Sequence, residues 1–508
     1  MILLSSDVPE SRIRTIHPGP VASDGRWVIY WMIANRRSRW NFSLQRAADW
    51  AVHLGKPLIV LEALRCDYRW ASDRIHAFVI QGMRDNAESF SQQPVTYYPY
   101  LETQVGEGKG LLRELARQAS VVVTDDFPCF FLPRMLSAAS QQIPVRFELV
   151  DSNGIYPIHS ANRVFHRAYD FRRHFQKELW PHLDQFPKAE PLERMALPTI
   201  ALPREIVERW PQAPLADISR GSSWLRRLPI DHEVSVVSTP GGSRAAEAQL
   251  KLFIDSRLPL YAEHRNQPER NVASELSPYL HFGHVSSHQV FVEVMGSIDW
   301  RPADGPDKAT GSSNGWWQVP PHVESFLDEL ITWREVGYNF CALRSDYDRY
   351  ESLPEWALRT LANHAADPRP WCYDLAELTE AHTHDPLWNA AQRQLVTEGR
   401  IHNYLRMLWG KKILEWSATP RLALEYMIEL NNKYALDGRN PNSYSGIFWV
   451  LGRYDRPWGP TRPIFGQVRY MSSENTARKV SVKNYIRRYA PDESQNQRPL
   501  FSVDGDEA

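Results

Sequence analysis

Three tryptophans, Trp388, Trp409 and Trp416, fall within DPLWNAAQRQLVTEGRIHNYLRMLWGKKILEW, the stretch from Asp385 to Trp416, which reads as two helices. Trp409 and Trp416 lie about two helical turns apart, roughly 10.5 Å of rise, and so share a face. Indole is first of all a large apolar surface, so the spacing suggests a packed aromatic core; the alternative is a relay of rings oxidised in turn. Glu329 and Trp333, in FLDELITWREVGYNF, are spaced so that a helix would point a carboxyl and a broad flat ring the same way. That pair is either a surface glutamate beside a half-buried tryptophan or a pocket wall that can hydrogen-bond and stack. Arg334 and Glu335, which follow, are expected to form structural ion pairs. Arg406 and Asp437 differ, because a buried Arg and Asp near one another are costly unless paired or bound to a ligand. Ser274 and Ser277, in NVASELSPYLHFG, can present hydroxyls and backbone N–H groups to a phosphate at a helix start, or simply cap that helix.

Other chemistries find little support. His382 and His384 have no third ligand nearby, so no metal is expected and both are read as structural. Cys66, Cys129, Cys341 and Cys372 are scattered, with no CxxC; neither a zinc site nor a disulfide framework is indicated, and a reducing compartment fits. Gly106-Glu-Gly-Lys-Gly110 lacks GK[ST] and does not follow a strand as a phosphate loop must, so it reads as a surface turn. No apolar run approaches the length of a membrane span, and the start lacks a basic segment before an apolar one; the expectation is a cytoplasmic protein with no membrane partner. A net charge of −1 argues on its face against a nucleic-acid partner. The distribution argues otherwise, since nine Lys or Arg stand against only Asp455 and Glu474 between Arg453 and Arg488. They are interleaved with Tyr454, Trp458, Phe465, Tyr470 and Tyr485, a mixture suited to gripping phosphates and stacking on bases, with a plain solvated face as the alternative.

The elements that must position these groups are of two kinds. WVIYWMI (27–33), PLIVLEAL, VTYYPYL, SVVVTDDFP and VRFELVD are strand-length runs separated by helix-like segments such as SLQRAADWAVHLG, with Gly55 as its stop. The alternation predicts a doubly wound parallel sheet with helices on both faces, able to take a nucleotide-sized ligand at its carboxyl edge. From about Pro187 to Gly242 the chain is rich in proline and reads as a connector with short helices; beyond Ser243 the patterns are mainly helical. The fold class is therefore α/β plus all-α: a sheet domain over 1–185, a connector over 186–242, a helical domain over 243–490 and a polar tail, 491–508, read as disordered. The segment 301–315 reads as a flexible loop. Eleven of the 19 tryptophans lie at or beyond Trp300, so stacking surface for a planar ligand belongs to the helical part.

LNNKYALDGRNPNSYSGIFWVLGRYDRPWGPTRPIFGQVRYM, from Leu430 to Met471, follows the tryptophan-bearing stretch. The two together resemble the carboxy-terminal half of the class II cyclobutane-pyrimidine-dimer photolyases, in the photolyase/cryptochrome family, and the resemblance extends from Arg26 to Tyr489. It implies an amino-terminal antenna domain and a carboxy-terminal domain that binds FAD. By this resemblance Tyr261, Ser274, Leu276 and Ser277 cradle the FAD phosphates, and Arg406 and Asp437, with Gly438 beside the latter, contact the cofactor. Asn431 is implied at flavin N5, where an amide can follow the protonation state of the ring, with Asn442 as a neighbouring contact. DG and NPN are also plain turn signals. Glu329 is implied to hydrogen-bond a flipped-out dimer and stabilise its radical anion, Trp333 to stack on it and Trp449 to help pack it. Arg469 is implied to enter the gap left by the extruded bases.

What the resemblance implies is light-driven repair: an electron passes from excited, fully reduced FAD to the dimer, the ring splits and the electron returns. Trp388, Trp409 and Trp416 would restore oxidised flavin to the reduced state. The expected partner is DNA containing pyrimidine dimers, bound by a monomer beside the nucleoid, or in the nucleus of a eukaryote. An antenna chromophore, deazaflavin or folate, is implied as an optional second ligand. A cryptochrome-like blue-light signalling flavoprotein is the alternative; Glu329, Trp333 and Trp449, and a short stretch after Tyr489 where a long regulatory extension would stand, favour repair. Two departures from the family pattern stand out. His402-Asn403-Tyr404 lacks the usual glycine after the histidine, which could reshape the flavin pocket, and WNFSL replaces an Asp-Asn-Trp pattern in the antenna part.

Overall fold

The computed structural model describes residue 4 and residues 6–218, 224–301 and 308–491. Residues 492–508 of the expected tail and 302–307 of the expected loop lie outside the described residues. Six strands, β1 (Ile13–His17), β2 (Trp27–Met32), β3 (Leu58–Leu64), β4 (Thr96–Leu101), β5 (Ala119–Asp125) and β6 (Arg146–Val150), form one sheet in the order β1-β6-β5-β2-β3-β4. The strands from β2 to β6 pair in parallel, as the alternation predicts, and every residue of β2 and β5 is buried because helices cover both faces. β1 adds an edge strand to the expected parallel sheet: it runs antiparallel along β6, and its half-exposed IRTIH carries too weak an alternation to announce itself.

β2 pairs with β3 on one side and β5 on the other, so the strand order reverses there and a crevice opens beyond the carboxyl ends. Asp125, the last residue of β5, fixes the lip of that crevice. Its carboxylate accepts the N–H groups of Ile33 (2.9 Å), Ala34 (2.8 Å) and Asn35 (2.9 Å) and the Tyr30 hydroxyl (2.9 Å), which is why a buried acid is tolerated. In WNFSL, Asn41 caps the helix Phe42–Leu54 by accepting from Ser43 and Leu44, and Gly55, at φ 62°, ends it.

The proline-rich connector is bound to the sheet part rather than loose. The Tyr98 hydroxyl donates to the Trp210 carbonyl, and the buried Trp210 indole donates to the Glu107 carbonyl at 3.0 Å. From Ser243 onward the elements are helical. Three of the helices that carry the candidate site begin alike, with a capping side chain followed by proline: Asp385 before Pro386–Glu398, Thr419 before Pro420–Tyr434 and Asn440 before Pro441–Val450. The helix Arg334–Leu343 lies against Pro441–Val450 at Gly337, where a Cβ would come within 2.5 Å of Ser445 Oγ. Arg334 and Glu335 do not form the expected ion pairs among the described residues. Glu335 accepts the N–H groups of Ile155 (2.7 Å) and Tyr156 (3.0 Å), tying the helices to the sheet part, while Arg334 Nη2 donates to the Tyr338 hydroxyl at 3.2 Å.

Candidate active site

A cavity of about 600 Å³ opens among the helices, and it gathers Tyr261, Ser274, Ser277, Glu329, Arg406, Asp437 and Asn442 from segments far apart in sequence. At its centre Arg406 meets Asp437 through two N–H···O contacts of 3.1 and 3.3 Å. Ser277 Oγ donates to the same carboxylate at 2.7 Å, so the serine is committed to Asp437 rather than held open. Burial would push the Asp437 carboxyl up, but Arg406 and Ser277 outweigh it and hold the group below its usual range. Two polar atoms of the wall are buried with no partner among the described residues, His402 Nδ1 and Arg334 Nη1. Unpaired buried polar groups are costly, so two of them among the residues that line this cavity fit a polar ligand. Burial also brings the His402 imidazole down to about 4, so it is uncharged at neutral pH.

Glu329 reaches the cavity from a π-helical turn, Asp328–Trp333, rather than from the regular helix that the sequence suggests. Its Oε1 lies 2.6 Å from Arg265 Nη1. Burial pushes the Glu329 carboxyl above its usual range, and Arg265 only partly holds it back. Sequence reasoning missed Arg265; its place four residues after Tyr261, whose ring its guanidinium overlies at 5.8 Å, was the available signal. Also missed was the ring of charges formed by Arg400 with Glu275 and Glu398, and by Arg257 with Glu275. No local pattern announces that Glu275 meets Arg257 and Arg400, 18 and 125 residues away.

The remaining candidates lie behind or beside this cavity. Asn431 is buried, its Nδ2 donating to Ser443 Oγ at 2.7 Å. Leu276 is buried, its N–H directed at Ser274 Oγ. At Gly438 a Cβ would sit 2.8 Å from the Asn431 carbonyl, so glycine permits the close turn that delivers Asp437. Trp333 and Trp449 are half-buried and do not line the cavity. Lys411 Nζ lies 5.2 Å and the Arg469 guanidinium 5.3 Å from the Trp449 ring, and Arg469 is steered there by Asp455 at 3.0 Å.

The interleaved basic face is thinner than the sequence suggests. Arg453 is buried between the rings of Phe340 and Phe448, at 3.9 and 3.8 Å, and Tyr454, Phe465 and Tyr485 belong to the core. Trp458 and Tyr470 stay accessible, beneath Arg456 and Arg462 at 4.6 and 4.8 Å.

The three tryptophans belong to the core. All are buried; Trp388 Nε1 donates to the Trp409 carbonyl at 3.0 Å, and the Trp388 and Trp416 rings stand 5.5 Å apart. Trp409 follows the cavity-lining Arg406 by about one turn, roughly 4.5 Å of rise. A second cavity, about 960 Å³, occupies the crevice at the carboxyl edge of the sheet. The Gly106–Gly110 turn forms part of its rim, so that turn borders a site without being a phosphate loop. No helix among the described residues is long and apolar enough to cross a membrane.

A mostly parallel sheet with a cavity at its carboxyl edge, joined to a helical body with a polar cavity of its own, is the architecture of a photolyase-fold protein. A bacterial class III photolyase from Agrobacterium tumefaciens superposes with a TM-score of 0.64 over 94% of this chain and 87% of that one, at 18% identity. No family model matches the chain. In sequence it is 34% identical over 478 residues to the deoxyribodipyrimidine photo-lyase of Methanothermobacter thermautotrophicus, covering 94% of this chain and 97% of that one. It is 35% identical over 492 residues to the Oryza sativa protein of the same name, covering 94% and 90%. The chain belongs to the deoxyribodipyrimidine photo-lyase family.

Proposed function

We propose that this chain splits cyclobutane pyrimidine dimers in DNA with light, acting as a monomer, and that its helical cavity holds FAD. The observation that carries this reading is that one cavity wall joins the Arg406–Asp437 pair to Glu329, in a chain 31–35% identical to four relatives named deoxyribodipyrimidine photo-lyase. Relatives so named do not favour the signalling alternative. FAD, bound fully reduced, supplies the light-driven electron.

The residues divide the remaining work. Arg406 and Asp437 orient the cofactor, with Tyr261, Ser274, Leu276 and Ser277, the last through its backbone N–H because its hydroxyl is held by Asp437, assigned to its phosphate end, and Asn431, Asn442 and Gly438 to the ring end. Glu329, on the cavity wall beside Arg265, is assigned to hydrogen-bond the flipped-out dimer and to stabilise its radical anion. Trp333 and Trp449 flank the extruded bases, and Arg469 fills the gap in the duplex. Extrusion costs least for a damaged pair already poorly stacked, which contributes to selectivity. Trp409, Trp388 and Trp416 carry electrons inward to restore the reduced cofactor. Residues 1–185 act as the antenna unit, with a deazaflavin or folate in the crevice cavity, 186–242 as connector and 243–490 as the catalytic unit.

The test is to illuminate the chemically reduced protein with a dimer-containing oligonucleotide and to measure restored monomers, with a (6-4)-containing oligonucleotide and a dark sample in parallel. Light-dependent reversal of the cyclobutane dimer is expected. A reduced, flavin-loaded protein that binds the oligonucleotide and restores nothing would refute the reading.

A further inference from the structure

Lysine is almost never fully buried unless an acid pairs with it. Lys411, in the helix Asn403–Trp416, has no exposed surface and no ion-pair partner among the described residues. Its Nζ donates to the Val450 carbonyl at 2.5 Å and stands 5.2 Å from the centre of the Trp449 ring. Val450 ends the helix Pro441–Val450, so the ammonium meets a carbonyl that the helix leaves over. The adjacent Lys412 is held quite differently, by Glu415 at 2.9 Å with Asp385 at 4.0 Å. A hydrogen bond to one carbonyl does not account for a charge at Lys411, since a neutral amide would donate to that carbonyl as well.

What surrounds the ammonium is an aromatic face and two opposed charges. Asp455 favours it and Arg469 opposes it, both from the segment that follows the helix Pro441–Val450. Asp455 is itself engaged by Arg469 at 3.0 Å and by the Trp458 indole N–H at 3.0 Å. The Arg469 guanidinium lies 5.3 Å from the same Trp449 ring, so two cations share one indole. Trp449 is half-buried, which leaves part of the ring for a stacked base, and it lies two helical turns beyond the cavity-lining Asn442, on the same side of their helix. Lys411 is therefore a buried cation with one indole between it and the place assigned to the extruded bases.

We propose that Lys411 is a positioning residue for repair, which holds the Trp449 ring and sets a fixed positive charge behind the extruded dimer, an inference that rests on the repair reading given above. The electron that reaches the dimer makes it negative, and a cation already in place needs no reorganisation when that charge appears. No bond to Lys411 forms or breaks, and the ammonium keeps its protons while the electron goes out to the dimer and returns. Lesion binding strengthens the arrangement. When Arg469 turns from Asp455 into the duplex, the charge that opposes the Lys411 ammonium departs, Asp455 is left to favour it, and Lys411 alone keeps a cation on the Trp449 ring.

Two substitutions separate the charge from its hydrogen bond. Lys411→Gln keeps a donor for the Val450 carbonyl, and Lys411→Met keeps only the apolar stem. Each flavin-loaded, chemically reduced protein is illuminated with saturating dimer-containing duplex across neutral pH. Repair per absorbed photon is measured beside affinity for the duplex, read by fluorescence anisotropy. On the acid side of neutrality both variants should repair about tenfold less than the unaltered protein, a smaller loss than that of a donor in direct contact with the developing charge, and should bind the duplex as tightly. Burial brings the Lys411 ammonium down to about 7 in the lesion-free chain, so rising pH should remove its charge and close the gap between the unaltered protein and both variants. Repair restored in Lys411→Gln would overturn the proposal, because a hydrogen bond without a charge would then suffice. A gap that stays constant with pH, or duplex binding lost in step with repair, would overturn it by marking a structural role. Variants that repair as well as the unaltered chain would overturn it alone and leave the repair reading standing. An unaltered, flavin-loaded protein that binds the duplex and restores no monomers would strike both.

Discussion

Asp437→Asn offers the sharpest test of how the cavity is built. The substitution keeps the shape of the side chain and removes the charge that two Arg406 N–H groups meet at 3.1 and 3.3 Å. Removing one partner of a buried pair costs about 3–5 kcal/mol because the other charge is left stranded. Here the two side chains are 17% and 14% exposed, so the lower end, about 3 kcal/mol, is the appropriate figure, roughly a hundredfold in the folding equilibrium. Arg406→Met should cost a similar amount by stranding Asp437. The double variant should lose much less than the sum, since neither charge remains. Equilibrium urea unfolding of the flavin-free chain, read by tryptophan fluorescence, measures all three. The pair also has a pH signature: its stabilisation is present above the ordinary aspartate value of about 3.9 and is lost as pH falls through the lower folded value, a slope that Asp437→Asn should remove. Additive losses in the double variant, or an Asp437→Asn chain as stable as the original, would refute the reasoning.

Other outcomes follow from the same geometry. Glu329→Ala should lower repair per absorbed photon by about tenfold, the worth of one charge-assisted hydrogen bond, while flavin absorbance and lesion binding hold; unchanged repair would remove Glu329 from the site. Trp388→Phe should slow photoreduction and spare repair by chemically reduced protein, so loss of both would reject the relay. Arg469→Ala should weaken binding to dimer-containing duplex and reduce its log–log salt slope by about one, as measured by fluorescence anisotropy. Burial brings the Lys411 ammonium down to about 7, where Nζ donates to the Val450 carbonyl at 2.5 Å. The unfolded chain holds that proton up to about pH 10, so stability should rise with pH between about 7 and 10, and Lys411→Met should flatten the urea midpoint across that window.

Much of this protein is readable along the chain. The strand-length apolar runs declare the parallel strands because a sheet covered on both faces needs apolar residues at every position. Asp385-Pro386, Thr419-Pro420 and Asn440-Pro441 mark helix starts because a short polar side chain satisfies free N–H groups and proline fits the first turn without needing one. That a buried Arg406 and Asp437 need either one another or a ligand follows from the cost of burying either charge alone. These are local rules, obeyed within a few residues or by the price of one charge.

What only the tertiary structure decided is which of those groups meet. Arg265 was needed to explain Glu329, and Ser443 to explain Asn431, because a hydrogen bond depends on ångströms between segments that sequence spacing does not record. Exposure is equally a property of the whole fold: Arg453, Tyr454 and Tyr485 look like a nucleic-acid surface in sequence, yet they are buried, whereas Trp371 reaches solvent and Trp388, Trp409 and Trp416 do not. The sequence by itself determined the elements and the chemical groups they carry. Packing decided which of those groups face a cavity, which are committed to a neighbour and which reach water, because burial sets both the cost of a charge and the partners left to offset it.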